Sequence, residues 1–288
     1  MEISTSILNA DDRIEAIVKL NRTNHSYVHV DVMDGNFVSD TQFNVNEIRA
    51  INIVSNIPLD VHLMVDDPIK YVNKLNDLNI KYITFHVEVK KNISKIISKI
   101  KELGYGVGLS IKPDTDIEEL IPYLKDIDMI LVMSVEPGKG GQKFLNKTID
   151  RVKKIKNIIT KNKYDIKIEV DGGIDDKTIT MLDGVDIAVV GSYIIKSDNY
   201  ASKINKLLKI TDTLIKKDID MNDINKGIIL YKFWFVVSIL LFICNLIYWY
   251  LVSYDNIVRY GFFISVLVMG ISLIKIKNYK EIKKRLQK

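Results

Sequence analysis

The feature that most constrains the fold is an alternation of short apolar strands and amphipathic helices, which repeats eight times within the first 208 residues. Consecutive strands that are joined through helices run parallel, because the crossover returns the chain to the same edge of the sheet. The strands are predicted to begin near Glu2, Tyr27, Leu59, Tyr82, Gly106, Met129, Ile166 and Asp186. Helical runs are predicted at 11–20, 68–78, 92–103, 116–124 and 146–160.

Eight parallel strand–helix units are the number that closes a (β/α)8 barrel, the TIM-barrel architecture of the α/β class. The alternative is an open, doubly wound sheet. That fold often carries a Gly-rich dinucleotide motif directly after its first strand, and none stands there in this chain. The sequence therefore favours the closed barrel over residues 1–208.

The second strand carries polar side chains at alternating positions. Because successive side chains point to opposite faces of a strand, His29, Asp31 and Met33 share one face, and three valines share the other. An imidazole buried beside a carboxylate is unfavourable unless the two are paired, hydrogen-bonded or bound to a metal. The third strand repeats the pattern with Asp60, His62 and Met64.

The carboxyl ends of barrel strands converge on one face, where active sites are found. Ser6 closes the first strand, and Asp171 ends the seventh. Two imidazoles and two carboxylates at that face favour one divalent ion, and mixed nitrogen and oxygen donors suit Zn²⁺, Fe²⁺, Mn²⁺ or Co²⁺. The predicted metal ligands are His29, Asp31, His62 and Asp171.

Glycine-rich loops follow strands six, seven and eight, at 137–141, 172–173 and 191–192. Glycines let backbone N–H groups approach an anion closely, and the loops after the last two strands of barrels often bind phosphate. Three such loops at one barrel face favour a phosphorylated substrate.

Five motifs together resemble the ribulose-phosphate 3-epimerase family over about residues 1–208. They are Ser4-Thr-Ser-Ile-Leu8, His29-Val-Asp-Val-Met-Asp-Gly35, Asp60-Val-His-Leu-Met64, Val135-Glu-Pro-Gly-Lys-Gly-Gly-Gln-Lys-Phe144 and Glu169-Val-Asp-Gly-Gly173. The motifs occur in order and with barrel-like spacing. The likeness does not extend to residues 209–288.

The resemblance implies a metal-dependent isomerase that interconverts D-ribulose 5-phosphate and D-xylulose 5-phosphate through a 2,3-enediolate. Asp31 then removes the C3 proton and Asp171 returns one from the other face, while three methionines, Met33, Met64 and Met133, shield the intermediate from water. His86 and Glu88 are expected to support the site rather than to react, and Asp34 to cap a turn with Gly35. The residues implied to contact substrate are Ser6, His62, Gly138, Lys139, Gly140, Gly141, Gly172, Gly173, Gly191 and Ser192.

Several positions depart from the family pattern. They lie outside the metal and acid/base set, so they bear on substrate identity more than on reaction type. A six-carbon ketose phosphate such as allulose 6-phosphate is one alternative, and a non-catalytic, sugar-phosphate-binding membrane scaffold is another. The departures are Thr5, Asn9, Ser39, Asp40, Asn44 and Lys139.

The C-terminal part differs in composition. Residues 209–231 are expected to form a linker or a short helix, and 232–288 a membrane segment. An uncharged run at 233–254, with Trp and Tyr toward its ends, is long enough to span a bilayer, and a shorter run at 257–274 predicts a second span. The Lys-rich tail after it predicts a multi-pass membrane protein whose tail and barrel both face the cytoplasm.

The bulk composition excludes some classes of function. The net charge of +5 is small and its lysines are dispersed, so no nucleic-acid partner is expected. Cys244 is the single cysteine, and the N-terminus lacks the features of a signal peptide. Beyond a sugar phosphate and a membrane, the sequence leaves open a homo-oligomer.

Overall fold

The computed structural model describes residues 1–251 and 256–286, and its contacts divide the chain into two units, Met1–Asp212 and Thr213–Lys288. The first unit contains every strand of the described chain. The strands are β1 (Glu2–Ser6), β2 (Tyr27–Asp34), β3 (Thr41–Gln42), β4 (Leu59–Met64), β5 (Ile80–His86), β6 (Gly106–Ile111), β7 (Met129–Met133), β8 (Lys167–Asp171) and β9 (Ile187–Val190).

Eight of these strands are parallel and form a closed ring in the order β1-β9-β8-β7-β6-β5-β4-β2. The ring closes because β1 pairs with β2 on one side and with β9 on the other. The two-residue strand β3 adds to β2 in the antiparallel direction. The predicted (β/α)8 barrel is therefore confirmed, and the open sheet is wrong.

The helices connect these strands as predicted, with shifted ends. The predicted helix at 116–124 is a 3-10 helix, because Pro122 lies inside it and lacks the N–H that an α-helix needs. The predicted helix at 68–78 ends at Val72. The α-helices are α1 (Arg13–Leu20), α2 (Val45–Val54), α3 (Pro68–Val72), α4 (Ile93–Glu102), α5 (Lys147–Asn162), α6 (Ser192–Ile195), α7 (Tyr200–Leu251) and α8 (Asn256–Leu286), and 3-10 turns occupy Ile117–Tyr123 and Thr178–Met181.

The hydrophobic core of the first unit lies between the barrel and its helices. Val28, Val30 and Val32 form the outer face of β2 and are fully buried in this core. The other face of each strand points into the barrel, so the strands are buried on both sides, as is usual for parallel sheets. The polar stripe of β2 therefore occupies the barrel interior.

The second unit contains the rest of α7 and the helix α8. A Cβ added to Gly227 would lie 2.7 Å from the ring of Tyr279, and one added to Gly261 would lie 2.4 Å from Asn245 Oδ1. Gly227 precedes Asn245 in α7, whereas its neighbour Tyr279 follows Gly261 in α8. The two helices pack as an antiparallel hairpin, and residues 209–231, predicted as a linker or a short helix, lie within α7.

One helical segment of the described chain is long and apolar enough to cross a membrane, namely Asp223–Tyr248, with a mean hydropathy of 2.3. Length and composition alone are weak support for a transmembrane hairpin. The predicted first span, 233–254, overlaps this segment, and its residues 252–254 lie outside the described residues. The second span, 257–274, lies in α8 and stays a prediction.

Gly108 of β6 provides a test of the barrel packing. A Cβ at Gly108 would lie 2.0 Å from Oγ1 of Thr84, which is fully buried on β5. We expect Gly108→Ala to lower the free energy of unfolding by about 1–3 kcal/mol through overpacking. Thr84→Gly in the same chain is expected to recover part of that loss, which a double-mutant cycle of urea unfolding measures. Additive effects of the two changes would contradict this packing.

Candidate active site

A cavity of about 340 Å³ opens at the carboxyl ends of the barrel strands, between the loops that follow β1, β7, β8 and β9. This is the barrel face at which the sequence predicted the site. His29 and His62 do not line the cavity and are fully buried. The other predicted site residues line it: Ser6, Asp31, Met33, Met64, Met133, Gly138, Lys139, Gly140, Gly141, Asp171, Gly172, Gly173, Gly191 and Ser192.

Asp31 lies at the centre of the polar cluster. Its Oδ1 is 3.2 Å from Nε2 of His29 and 3.2 Å from Nδ1 of His62, and its Oδ2 accepts a hydrogen bond of 2.9 Å from the hydroxyl of Ser6. The strand register explains this arrangement, because Asp31 lies beside His62 in the β2–β4 pair. Three side chains from three strands therefore hold one carboxylate.

The side chains of the four predicted ligands lie close together. One ligand atom from each of His29, Asp31, His62 and Asp171 lies within 4.8 Å of all the others. Two imidazole nitrogens and two carboxylate oxygens form a donor set that suits a divalent transition metal. The residues present therefore fit a metal ion, whose identity the donor set leaves open.

The two aspartates differ in proton affinity. Burial raises the pKa of Asp31, but the charge and the hydrogen bond of the adjacent His29 outweigh it and hold that pKa below its usual value. The removal of Asp171 from water, together with the charge of Asp31, outweighs the opposing charge of His29 and raises the pKa of Asp171 to about 7. Two carboxyl groups whose environments separate their pKa values are typical of a general acid and base pair.

A second layer of polar groups lies deeper in the barrel, and the sequence assigned it no role. Asp60 Oδ2 lies 2.7 Å from Nδ1 of His29 and accepts a hydrogen bond of 2.8 Å from the hydroxyl of Ser4. Burial, with the nearby Asp60, raises the pKa of Glu169 well above its usual value. The alternation that placed Asp60 on the face of His62 was the signal that could have identified it.

The other ring nitrogen of His62, Nε2, also has a hydrogen-bond partner. This atom lies 2.9 Å from Nε2 of His86, whose Nδ1 lies 3.1 Å from Oε2 of Glu88. Burial lowers the pKa of His86 to about 4, and hydrogen bonds from His86 and other groups outweigh burial and lower the pKa of Glu88 to about 2. His86 and Glu88 do not line the cavity, and they lie behind a predicted ligand.

The glycines of the cavity loops are required by close approach and by backbone conformation. Gly172 has a φ of +121°, and a Cβ there would lie 2.5 Å from the side chain of Val135. Gly173 has a φ of +63°, and a Cβ there would lie 2.4 Å from the backbone nitrogen of Phe144. L side chains rarely adopt such conformations, so these loops bring bare backbone to the cavity wall.

Three methionines form apolar parts of the cavity wall. Met33 and Met64 pack together with Val38, and Met133 packs with Val135. Each methionine is almost completely buried although it lines the cavity. Their position beside Asp31 and Asp171 keeps the surroundings of the two carboxyl groups apolar.

Two departures from the family pattern, Asn9 and Asn44, and one residue that matches it, Gln142, form local hydrogen bonds. Asn44 forms a capping box with Glu47 at the start of α2. Asn9 lines the cavity, where its amide donates a hydrogen bond of 2.9 Å to the hydroxyl of Ser192. Gln142 donates to two carbonyl groups of the loop after β7. The sequence did not identify Asn9 or Gln142 as cavity residues, because single amides in loops carry no periodic signal.

Asp34 caps the loop after β2, as predicted. Its Oδ1 accepts hydrogen bonds of 2.9 Å from the backbone nitrogens of Asn36 and Phe37. Its Oδ2 accepts a hydrogen bond of 2.8 Å from the backbone nitrogen of Asp66. These hydrogen bonds fix the start of the loop at the end of β2, the strand that carries Asp31.

Solved structures resemble the barrel in fold. Tryptophan synthase from Mycobacterium tuberculosis has a TM-score of 0.56 at 12% identity and covers 73% of this chain and 91% of its own. The 3-hexulose-6-phosphate synthase from Salmonella typhimurium has a TM-score of 0.51 at 19% identity and covers 73% of this chain and 98% of its own. At such identities the likeness shows the barrel fold alone.

Sequence relatives are more specific. The ribulose-phosphate 3-epimerase of Helicobacter pylori is 35% identical over 216 residues, which are 74% of this chain and all of the relative. That of Methanocaldococcus jannaschii is 34% identical over 76% of this chain and 94% of the relative. The sequence model of the Ribulose-phosphate 3 epimerase family matches residues 2–195. The chain is therefore an epimerase, and it belongs to the ribulose-phosphate 3-epimerase family.

Proposed function

We propose that this enzyme is a metal-dependent ketose-phosphate 3-epimerase whose substrate pair is D-ribulose 5-phosphate and D-xylulose 5-phosphate. Relatives with the name ribulose-phosphate 3-epimerase, matched over nearly their whole length, support the substrate. The observation that carries the proposal is the convergence of His29, Asp31, His62 and Asp171 in and beneath the cavity floor. These four residues fit the metal and supply both proton-transfer groups.

Inversion at C3 requires a proton to leave one face of the carbon and another to arrive at the opposite face. Asp31, whose pKa is held low, is ionised and accepts the first proton. Asp171, whose pKa is about 7, carries a proton near neutral pH and donates the second. When bound, the metal supplies positive charge that stabilises the 2,3-enediolate.

The remaining cavity residues orient the substrate and exclude water. The hydroxyl of Ser6 holds Oδ2 of Asp31, which fixes the direction of the base. The glycine loops present backbone N–H groups to the phosphate, and Lys139 adds a positive charge at the rim. The methionine surface limits protonation of the intermediate by water.

The alternatives differ in their support. A six-carbon ketose phosphate stays the alternative substrate, because Asn9 and Lys139 reshape the cavity rim without altering the acid/base pair. A non-catalytic scaffold has no use for two carboxyl groups of opposed proton affinity. A homo-oligomer stays a prediction.

Removal of the metal is the first test of the mechanism. We expect a chelator to abolish epimerase activity toward ribulose 5-phosphate, and added Zn²⁺, Fe²⁺, Mn²⁺ or Co²⁺ to restore it, because the enediolate loses its compensating charge. Metal content and turnover are measured on the same sample, and allulose 6-phosphate is assayed in parallel. Full turnover by metal-free enzyme would contradict metal dependence, and a preference for the six-carbon substrate would replace the pentose assignment.

Because Asp31 and Asp171 act on opposite faces of C3, their substitutions are expected to impair proton transfer in two different ways. Asp31→Asn and Asp171→Asn are each expected to lower kcat by about 10²–10⁴-fold, because each removes one proton-transfer group. In D₂O, each variant should still exchange the C3 hydrogen of one epimer and not of the other, which NMR detects. Asp183→Asn, an exposed change outside the cavity, is the matched control. Exchange of both epimers by both variants would refute the two-base mechanism.

We propose further that the second unit anchors the enzyme in a membrane and that the barrel and the C-terminal tail face the cytoplasm. The length and hydropathy of Asp223–Tyr248 support the anchor. So does the exposure of large apolar side chains along this helix, among them Phe233, Leu240 and Leu241. The lysines of the tail support the orientation.

Charge substitutions on the exposed apolar face test the anchor. The unchanged chain is expected to remain in the membrane fraction after an alkaline carbonate wash. Leu240→Arg with Leu241→Arg is expected to release much of it, because each arginine at the centre of a span costs about 2.5–3.5 kcal/mol. Lys226→Arg is the control, and protease access to a C-terminal tag on either side of the membrane measures the orientation. Release of the unchanged chain by carbonate would contradict the anchor.

A further inference from the structure

The contact between His62 and His86 requires that the N–H of one imidazole donate a hydrogen bond to the lone pair of the other. Their Nε2 atoms lie 2.9 Å apart, and the rings stack with centroids 5.0 Å apart at 28°. Both rings are fully buried. A neutral imidazole has one N–H and one lone pair, so the tautomer of His86 determines that of His62.

The carboxylate of Glu88 determines which ring nitrogen of His86 carries the proton. Its Oε1 accepts a hydrogen bond of 2.7 Å from the backbone nitrogen of Lys112, and its Oε2 lies 3.1 Å from Nδ1 of His86. An ionised carboxylate only accepts hydrogen bonds, so Nδ1 of His86 carries the proton. Nε2 of His86 then has a lone pair and accepts the N–H from Nε2 of His62.

The consequence for His62 appears at its other nitrogen. With its proton on Nε2, its Nδ1 holds a lone pair, and this atom lies 3.2 Å from Oδ1 of Asp31. Two acceptor atoms that face each other attract a cation to the space between them. The orientation of the ring thus prepares His62 as a ligand through Nδ1.

We propose that His86 and Glu88 are positioning residues, which fix His62 in the tautomer with its proton on Nε2 and so turn the Nδ1 lone pair toward the metal. The inference rests on the proposed metal-dependent function. Neither residue lines the substrate cavity, so both act through His62. Hydrogen-bond partners of metal-bound histidines contribute to metal affinity in this way.

The loop after β2 holds this chain of contacts in place. The ring of Phe37 lies 4.8 Å from the ring of His86, and the ammonium group of Lys112 lies 4.1 Å from the centroid of Phe37. Lys112 therefore contacts two neighbours of His86. Its backbone N–H donates to Glu88, and its ammonium group lies over the ring of Phe37. The imidazole of His86 is confined between this loop and His62.

Cobalt titration of the full-length, metal-free protein tests the proposal, with visible absorption as the readout of affinity and coordination. His86→Leu removes the acceptor and is expected to weaken Co²⁺ binding by about 10–100-fold and to alter the spectrum. His86→Gln retains an amide oxygen that accepts from His62, and it is expected to bind Co²⁺ more tightly than His86→Leu. His25→Gln is the matched control, because His25 is a buried histidine in the loop before β2, at the other end of the barrel.

Histidine-selective ¹⁵N NMR of the Zn²⁺-loaded wild-type protein provides a second readout, in which the tautomers are measured on the unchanged chain. The chain has four histidines, so single His→Gln variants assign every ring. We expect the proton on Nε2 in His62 and on Nδ1 in His86.

The outcomes separate the two proposals. A proton on Nε2 of His86, or equal Co²⁺ affinity and spectra in wild type and His86→Leu, overturns the positioning role and leaves the metal-dependent function standing. Absence of Co²⁺ and Zn²⁺ binding by the wild type overturns the metal-dependent function and the inference with it. Selective loss in His86→Leu, with recovery in His86→Gln, supports the positioning role.

Discussion

The site depends on one interaction, the sharing of the Asp31 carboxylate between two buried imidazoles. A carboxylate that is 3% exposed is unfavourable inside a protein unless groups around it compensate its charge. His29 does so from the same strand, and Ser6 donates from a neighbouring one, while the inner nitrogen of His62 faces the same carboxylate oxygen as His29. This compensation exists only in the register that places Asp31 beside His62, because a one-residue slip would turn the whole polar stripe outward into the hydrophobic core.

The groups around Asp31 are arranged in pairs that extend away from the cavity. His29 contacts Asp60 behind it, and His62 contacts His86. Each imidazole therefore has its outer nitrogen occupied and its inner nitrogen directed at the same carboxylate oxygen. Asp171 takes no part in these contacts, and its burial together with the charge of Asp31 raises its pKa to about 7. The same cavity thus contains one carboxyl group whose pKa is lowered and one whose pKa is raised.

In the second unit, the distribution of apolar and small residues differs from that in the barrel. Small and polar residues, such as Gly227, Gly261 and Asn245, lie at the contact between the helices of this unit, and large apolar residues are exposed. Small residues at the contact and apolar residues outside are the arrangement found in membrane helices, where lipid replaces water. The proposal of a membrane-anchored epimerase follows from this inversion of the usual pattern, and the barrel residues carry no sign of it.

The sequence by itself determined the barrel and most of its site. Eight alternations of strand and helix admit few closed architectures, and the period of two along β2 and β4 placed His29, Asp31 and His62 on inward faces. It did not determine which atoms of the surrounding groups are in contact. Asp60, His86 and Glu88 come from different strands or strand ends, and a linear pattern cannot show which atoms of separate strands meet. Only the tertiary structure decided that His86 stacks on His62, that Asn9 reaches Ser192 and that the two aspartates differ in pKa, because each of these depends on distances across the barrel.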